Sequence, residues 1–270
     1  MRPKIAILYS LARSGATLMT RCLGCAADNV ILSEINPRFS WFNPLIQAYE
    51  WYGLFSPSEM IQFRARPDLG YTEAILAISE RCRAKGLHLI IRDWTHIDYT
   101  PGDYPVTPIY QPAQELALGD AFEIQRVSIT RHPLDAYLSV CKVPRMAGQL
   151  SLSQYMEGFL KFAELAMRTG FIRYEDFCRQ PPTVLRSLSE RLGVGYADDF
   201  ETRYLENNRV TGDIYHPDAT ETVTGERVGE RSGGRIRLPE RRRIPDAVRE
   251  QLDDCPPYSR ILQLLGYDQH

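Results

Sequence analysis

Arg13, Ser14, Gly15, Ala16, Thr17 and Leu18 bring a cation, small residues and a hydroxyl into one short turn after the apolar run Ile5-Ala6-Ile7-Leu8-Tyr9. Beyond the turn, apolar residues recur at helical spacing through Leu18, Met19, Cys22 and Leu23, so the order reads strand, tight turn, helix. Such a turn suits an anion. The first N–H groups of a helix have no partner inside it and lie at the positive end of its dipole. Set against the nucleotide cradle G-x-x-x-x-G-K-[ST], Ser10 replaces the first Gly, Gly15 is in place, Ala16 replaces the Lys and Thr17 keeps the hydroxyl. Without the Lys that reaches the β- and γ-phosphates, the turn reads as a cradle for one phosphate and its immediate substituent. Taken alone, an ordinary βα turn with a surface Arg would have the same sequence.

A second anion constellation follows the strand expected over residues 122–130. Arg131-His132-Pro133-Leu134-Asp135 opens a helix, with Pro133 suited to its first turn and Asp135 to its positive end, and Ser139 stands two turns on. Arg131 and Ser139 can face a second anion beside the first, or belong to a capped helix with a surface Arg. Glu34, after a strand at 29–33, and His96, after the apolar run at 87–91, fall at the carboxyl edge where ligands gather in open α/β sheets. Either can accept a proton, and His96 reads equally as a loop histidine. Late in the chain, Arg227, Gly229, Arg231, Ser232, Gly233, Gly234 and Arg235 make a flexible basic loop. Backbone N–H groups and guanidinium forks let such a loop fold over an anion, although a solvated surface loop needs no function.

The elements that must position these groups are helices near 44–53, 57–64, 71–84, 114–118, 150–169 and 181–193, and a further strand at 170–174. Residues 97–112 carry four prolines and should form an irregular wall or lid. The aromatic-rich stretch from Phe39, Trp41 and Phe42 to Trp51, Tyr52 and Phe55 can line an acceptor pocket, with core packing the commoner reading. Among 270 residues the net charge is −2, which gives no bulk reason to expect nucleic acid or a membrane surface as partner. No apolar run reaches membrane-spanning length and no secretory leader is evident, so a soluble, cytoplasmic protein is expected. The six cysteines then read as reduced thiols, Cys22 and Cys25 included.

In combination, these motifs resemble the sulfotransferases that use 3′-phosphoadenosine 5′-phosphosulfate (PAPS). Residues 11–18 are similar to that family's 5′-phosphosulfate loop in its R-S-G-T-T-L form, with Ala16 departing from the usual Thr. Arg131 to Asp135 with Ser139 resembles the 3′-phosphate motif, and Arg173-Tyr174-Glu175-Asp176-Phe177 the R-Y-E-D-L segment near the adenosine. The stretch Arg231, Ser232, Gly233 to Arg235 is less closely similar to the loop that covers the 3′-phosphate.

The resemblance implies an α/β three-layer sandwich around a central, mainly parallel sheet, P-loop nucleotide-hydrolase-like. It is expected as one domain over 1–270, with 206–240 covering the nucleotide and 241–270 closing the fold with two helices. It implies in-line sulfonyl transfer from PAPS to a hydroxyl or amine of a small-molecule or glycoside acceptor. Adenosine 3′,5′-bisphosphate would be the product, and no metal is required. Arg13 would stabilise the growing charge, and Ser14, Gly15, Ala16, Thr17 and Leu18 would hold the 5′-phosphate. Arg131 and Ser139 would hold the 3′-phosphate. Glu34 matches the base of the heparan and tyrosylprotein branches and His96 that of the cytosolic small-molecule branch; the loop type favours Glu34 slightly. A P-loop kinase would need the missing cradle Lys, and a non-catalytic binder of sulfated or phosphorylated ligands would need neither Glu34 nor His96.

Overall fold

The computed structural model describes residues 2–102, 106–143, 148, 150–212 and 235–269. In chain order the elements are β1 (Lys4–Ser10), α1 (Ala16–Leu23), β2 (Asn29–Ile35), α2 (Pro44–Tyr52), α3 (Pro57–Arg64), α4 (Tyr71–Ala84), β3 (His88–Asp93), α5 (His96–Tyr99) and α6 (Ala113–Leu118). They continue as β4 (Glu123–Thr130), α7 (Pro133–Val140), α8 (Leu152–Thr169), β5 (Phe171–Arg173), α9 (Tyr174–Arg179), α10 (Pro181–Leu192), α11 (Phe200–Arg203), α12 (Asp246–Asp253) and α13 (Pro256–Leu265).

Alternation along β1 sorts the layers, because successive side chains of a strand point to opposite faces. Ile5, Ile7 and Tyr9 enter a core shared with α2, α4, α7, α8 and α13. Ala6 and Leu8 enter the opposite core, against α1, α9, α10 and α11. With both faces covered, β1 is buried from Ile5 to Ser10 and β3 from Leu89 to Asp93, as central strands of a parallel sheet are. The five strands lie in the order β2-β3-β1-β4-β5, every pairing parallel. Such a sheet has all its carboxyl ends along one edge. The path reverses about central β1, and in such sheets the crevice at that switch is where ligands sit.

Local sequence explains most boundaries. The Asn43 side chain accepts from the N–H groups of Leu45 and Ile46, Pro44 fits the first turn of α2, and Gly53 ends it in the left-handed region. Ser56 and Glu59 form a capping box on α3. Three expectations shift. β2 runs on to Ile35, so Glu34 lies within the strand rather than after it. A one-turn helix, α5, replaces the expected loop at His96. β5 stops at Arg173, where Tyr174 opens α9. The expected basic covering loop, with Arg231, Ser232 and Gly233, lies outside the described residues.

Candidate functional site

The turn after β1 has an unusual backbone. Gly15 sits at φ 84°, a left-handed conformation in which glycine has no Cβ to strain, and Arg13 takes φ 66°. A Cβ at Gly15 would overlap the ring of Tyr174, so the turn and the start of α9 touch at a place only glycine permits. No side chain caps α1. Ser14 is 1% exposed, yet its Oγ has no hydrogen-bond partner among the described residues. These are donors of the kind that an anion at a helix N-terminus accepts from.

β4 delivers the second motif to the same place. Arg131 Nη1 donates to the Arg13 carbonyl at 3.2 Å, and its guanidinium lies 5.1 Å from the Tyr174 ring centroid. Arg13 Nε donates to Ser139 Oγ at 3.1 Å, across from α7. Behind them, Glu175 accepts from the His132 N–H at 2.9 Å and from the Tyr267 hydroxyl at 3.0 Å. The Arg-Tyr-Glu-Asp segment thus braces the second motif through Glu175 and stacks on it through Tyr174. Arg13, Arg131, Ser139 and Tyr174 meet at this turn, with Gly15 against the Tyr174 ring, while Leu18 packs into the core.

Glu34 reaches this cluster through Arg92, a residue that motif reading did not single out. Arg92 Nη2 donates to Thr17 Oγ1 at 3.0 Å and to Glu34 Oε1 at 3.2 Å, while Nη1 donates to Ser33 Oγ and to the Thr211 carbonyl. One guanidinium therefore joins the cradle hydroxyl to the candidate base. Glu34 sits where the β2–β3 register shifts between Ser33 and Ile35, at φ 55°. Non-glycine residues at positive φ are uncommon and collect at functional sites. Among the described residues only Arg13, Glu34 and Tyr110 take such angles. The signal available in sequence was a charged residue closing the apolar run of β3, where a solvent-facing reading was equally open.

His96 is buried, its ring 5.4 Å from that of Trp94. Burial, then the neighbouring Arg92 charge, lower its pKa to about 3. The ring is neutral at ordinary pH and a weak proton acceptor. Arg235 is exposed.

On the β2–β3 side, Phe39, Trp41 and Phe42 pack around Trp94 with ring centroids 5.4–6.3 Å apart, and Trp41 stays 52% exposed. Farther along, Leu45, Ala48, Leu54 and Phe55 are core. A cavity of about 370 Å³ opens beside Asn36, Phe42, Met60, Phe63 and Tyr71. The wall is anchored by a buried polar network that sequence reading missed. Asn36 donates to Asp93 and Asp98, Gln114 donates to Asp93, and Arg38 donates to Asp98 at 3.0 Å. Burial, then the neighbouring Asp98, push the Asp93 carboxyl well above the usual range. Asp98 also takes the Ile109 and Tyr110 N–H groups on its carbonyl, pinning the proline-rich segment against the site.

No protein-family model and no curated protein matches this chain. Solved structures do. The sulfotransferase domain of the Synechococcus PCC 7002 olefin synthase is 13% identical, with all of this chain and 97% of that one covered at a TM-score of 0.62. The sulfotransferase domain of the curacin biosynthetic pathway is 16% identical, with 99% of each chain covered at a TM-score of 0.64. At such identities the likeness is one of fold: end to end, the chain has the sulfotransferase fold.

Proposed function

We propose that the chain is a sulfotransferase, moving a sulfonyl group from PAPS to a hydroxyl or amine of a small-molecule or glycoside acceptor in the cytoplasm. The observation that carries this reading is the meeting of two cationic strand ends. Arg131 holds the Arg13 carbonyl while Arg13 holds Ser139, so one ligand with two separated anionic groups can touch both. The residues fit such a nucleotide in three respects: the orphaned Ser14 hydroxyl, the uncapped end of α1, and the Gly15 turn roofed by Tyr174.

The nucleotide, when bound, supplies the sulfonyl group to be transferred. The chain's own residues do the rest. Arg13 stabilises charge where the transferred group departs, in a place whose charges are fixed before reaction. Thr17 and the N–H groups from Ser14 to Leu18 hold one phosphate, and Arg131 with Ser139 the other. Glu34 takes the acceptor proton. Its Oε1 is tied to Arg92, leaving Oε2 without a partner among the described residues. His96, neutral and weakly basic, shapes the wall instead.

The test is transfer of labelled sulfonyl from PAPS to a panel of hydroxylated acceptors, alongside thermal shifts. Adenosine 3′,5′-bisphosphate at 100 times its Kd should stabilise by about 2.7 kcal/mol, and Mg-ATP should do much less. Stabilisation by Mg-ATP alone would favour a kinase. Bisphosphate binding with no transfer to any acceptor would leave a binding protein.

A further inference from the structure

The cavity of about 370 Å³ lies between the start of α2 and the pair α3 and α4, and its size falls in the range of small-molecule sites. α2 contributes Leu45 and Ile46 to its wall, α3 Met60 and Phe63, and α4 Tyr71 and Ala74. Leu45, Met60 and Ala74 belong to the buried core, and Phe63 and Tyr71 pack partly buried against it. Protein interiors are close-packed, so an apolar space of this size is not what packing these helices would leave by itself.

The polar groups beside the cavity are engaged within the chain or open to water. The Tyr71 hydroxyl donates to Gln114 Oε1 at 2.8 Å. Asn36 Nδ2 donates to Asp93 and Asp98, and Asn36 Oδ1 accepts the Arg38 N–H at 2.9 Å. Arg66 is ion-paired with Glu73 at 3.3 Å. Ser40, Asn43 and Arg64 are exposed, where water competes for them and screens the Arg64 charge. An ionised guest would give up its hydration here without gaining a buried partner. An apolar guest gives up only its contact with water, which is favourable.

We propose that this cavity binds the apolar body of an uncharged small molecule. Asn36, two residues on from Glu34, lines it, so its wall begins about 7 Å along the chain from the candidate base. The role of the guest rests on the sulfotransferase reading: it is the acceptor, and the acceptor class narrows to hydroxylated apolar molecules, with glycosides set aside.

2-Naphthol titrated calorimetrically into the full chain tests this, with glucose, 2-naphthoate and adenosine 3′,5′-bisphosphate as comparison ligands. The unaltered chain should bind 2-naphthol, and bind it more tightly than glucose or 2-naphthoate. Ile46→Asp adds a carboxylate to the wall from an exposed position in the first turn of α2, where an acidic side chain suits the helix. Ala74→Leu fills the cavity from α4. Each change should weaken 2-naphthol by about tenfold or more, with bisphosphate affinity the same in all three proteins. Circular dichroism checks that each variant folds. The proposal is overturned by no binding of 2-naphthol, by affinity unchanged in either folded variant, or by tighter binding of glucose or 2-naphthoate. Binding of 2-naphthol as described with none of the bisphosphate would keep the apolar site and remove the nucleotide reading. Binding of the bisphosphate without 2-naphthol would do the reverse.

Discussion

The two halves of the carboxyl edge treat charge in opposite ways. At the ends of β1 and β4, Arg13 and Arg131 are held by a hydroxyl, a carbonyl and an aromatic face, and Arg131 has no carboxylate partner among the described residues. At the ends of β2 and β3, each cation is matched: Arg92 with Glu34, Arg38 with Asp98. On the proposed function, the first half takes negative charge brought by a ligand. In the second, both of these cations are ion-paired within the chain, beside the Trp94 aromatic wall. Arg92 joins the halves, with Thr17 on one side and Glu34 on the other.

The largest effect should come from breaking the balanced half at its base. Glu34→Gln keeps an oxygen for Arg92 but removes the proton acceptor, so kcat should fall by about 10²–10⁴-fold, with bisphosphate affinity unchanged. Steady-state kinetics beside calorimetry decides it; an equal loss in both would make Glu34 a structural partner of Arg92.

Next is Gly15→Ala in the anion-holding half. Forcing a side chain into the left-handed region costs about 1–3 kcal/mol, and here the Cβ must also displace Tyr174. Denaturant unfolding should show at least that loss, with weaker bisphosphate binding. An unchanged midpoint would mean the turn is not locked by Tyr174.

The smallest effect concerns His96. Its folded pKa of about 3 lies below the ordinary value of 6.5. Between those values the unfolded chain binds a proton that the folded chain refuses, so stability is lost as pH falls through that window. His96→Phe should remove up to about 1.4 kcal/mol per pH unit from the acid-side slope. An unchanged slope would mean the ring reaches solvent.

How much of this could be read in the chain differs between the halves. The anion half was legible because its parts are local: strand, Gly-containing turn and helix within Lys4–Leu23, then Arg131 to Ser139 around Pro133. Each motif names its own element. The balanced half depends on contacts between distant residues, such as Arg92 with Thr17, 75 positions apart, and Arg38 with Asp98, 60 apart. No local pattern announces a partner across the sheet. Glu34 was legible as a residue at a strand end, but its left-handed backbone comes from the register shift against β3, which depends on the neighbouring strand. His96 was legible at a strand end, but its burial, which lowers its pKa, depends on residues packed around it from other elements.

The central claim is that Arg13 and Arg131 grip two phosphates of one nucleotide. Calorimetry of adenosine 3′,5′-bisphosphate and adenosine 5′-phosphate with the unaltered chain and Arg131→Ala tests it most directly. A hydrogen bond to a charged group contributes about 1.5–3 kcal/mol. Arg131→Ala should therefore weaken the bisphosphate by about ten- to a hundredfold and leave the monophosphate nearly unchanged. Equal losses for both ligands, or no preference for the bisphosphate in the unaltered chain, would contradict the account.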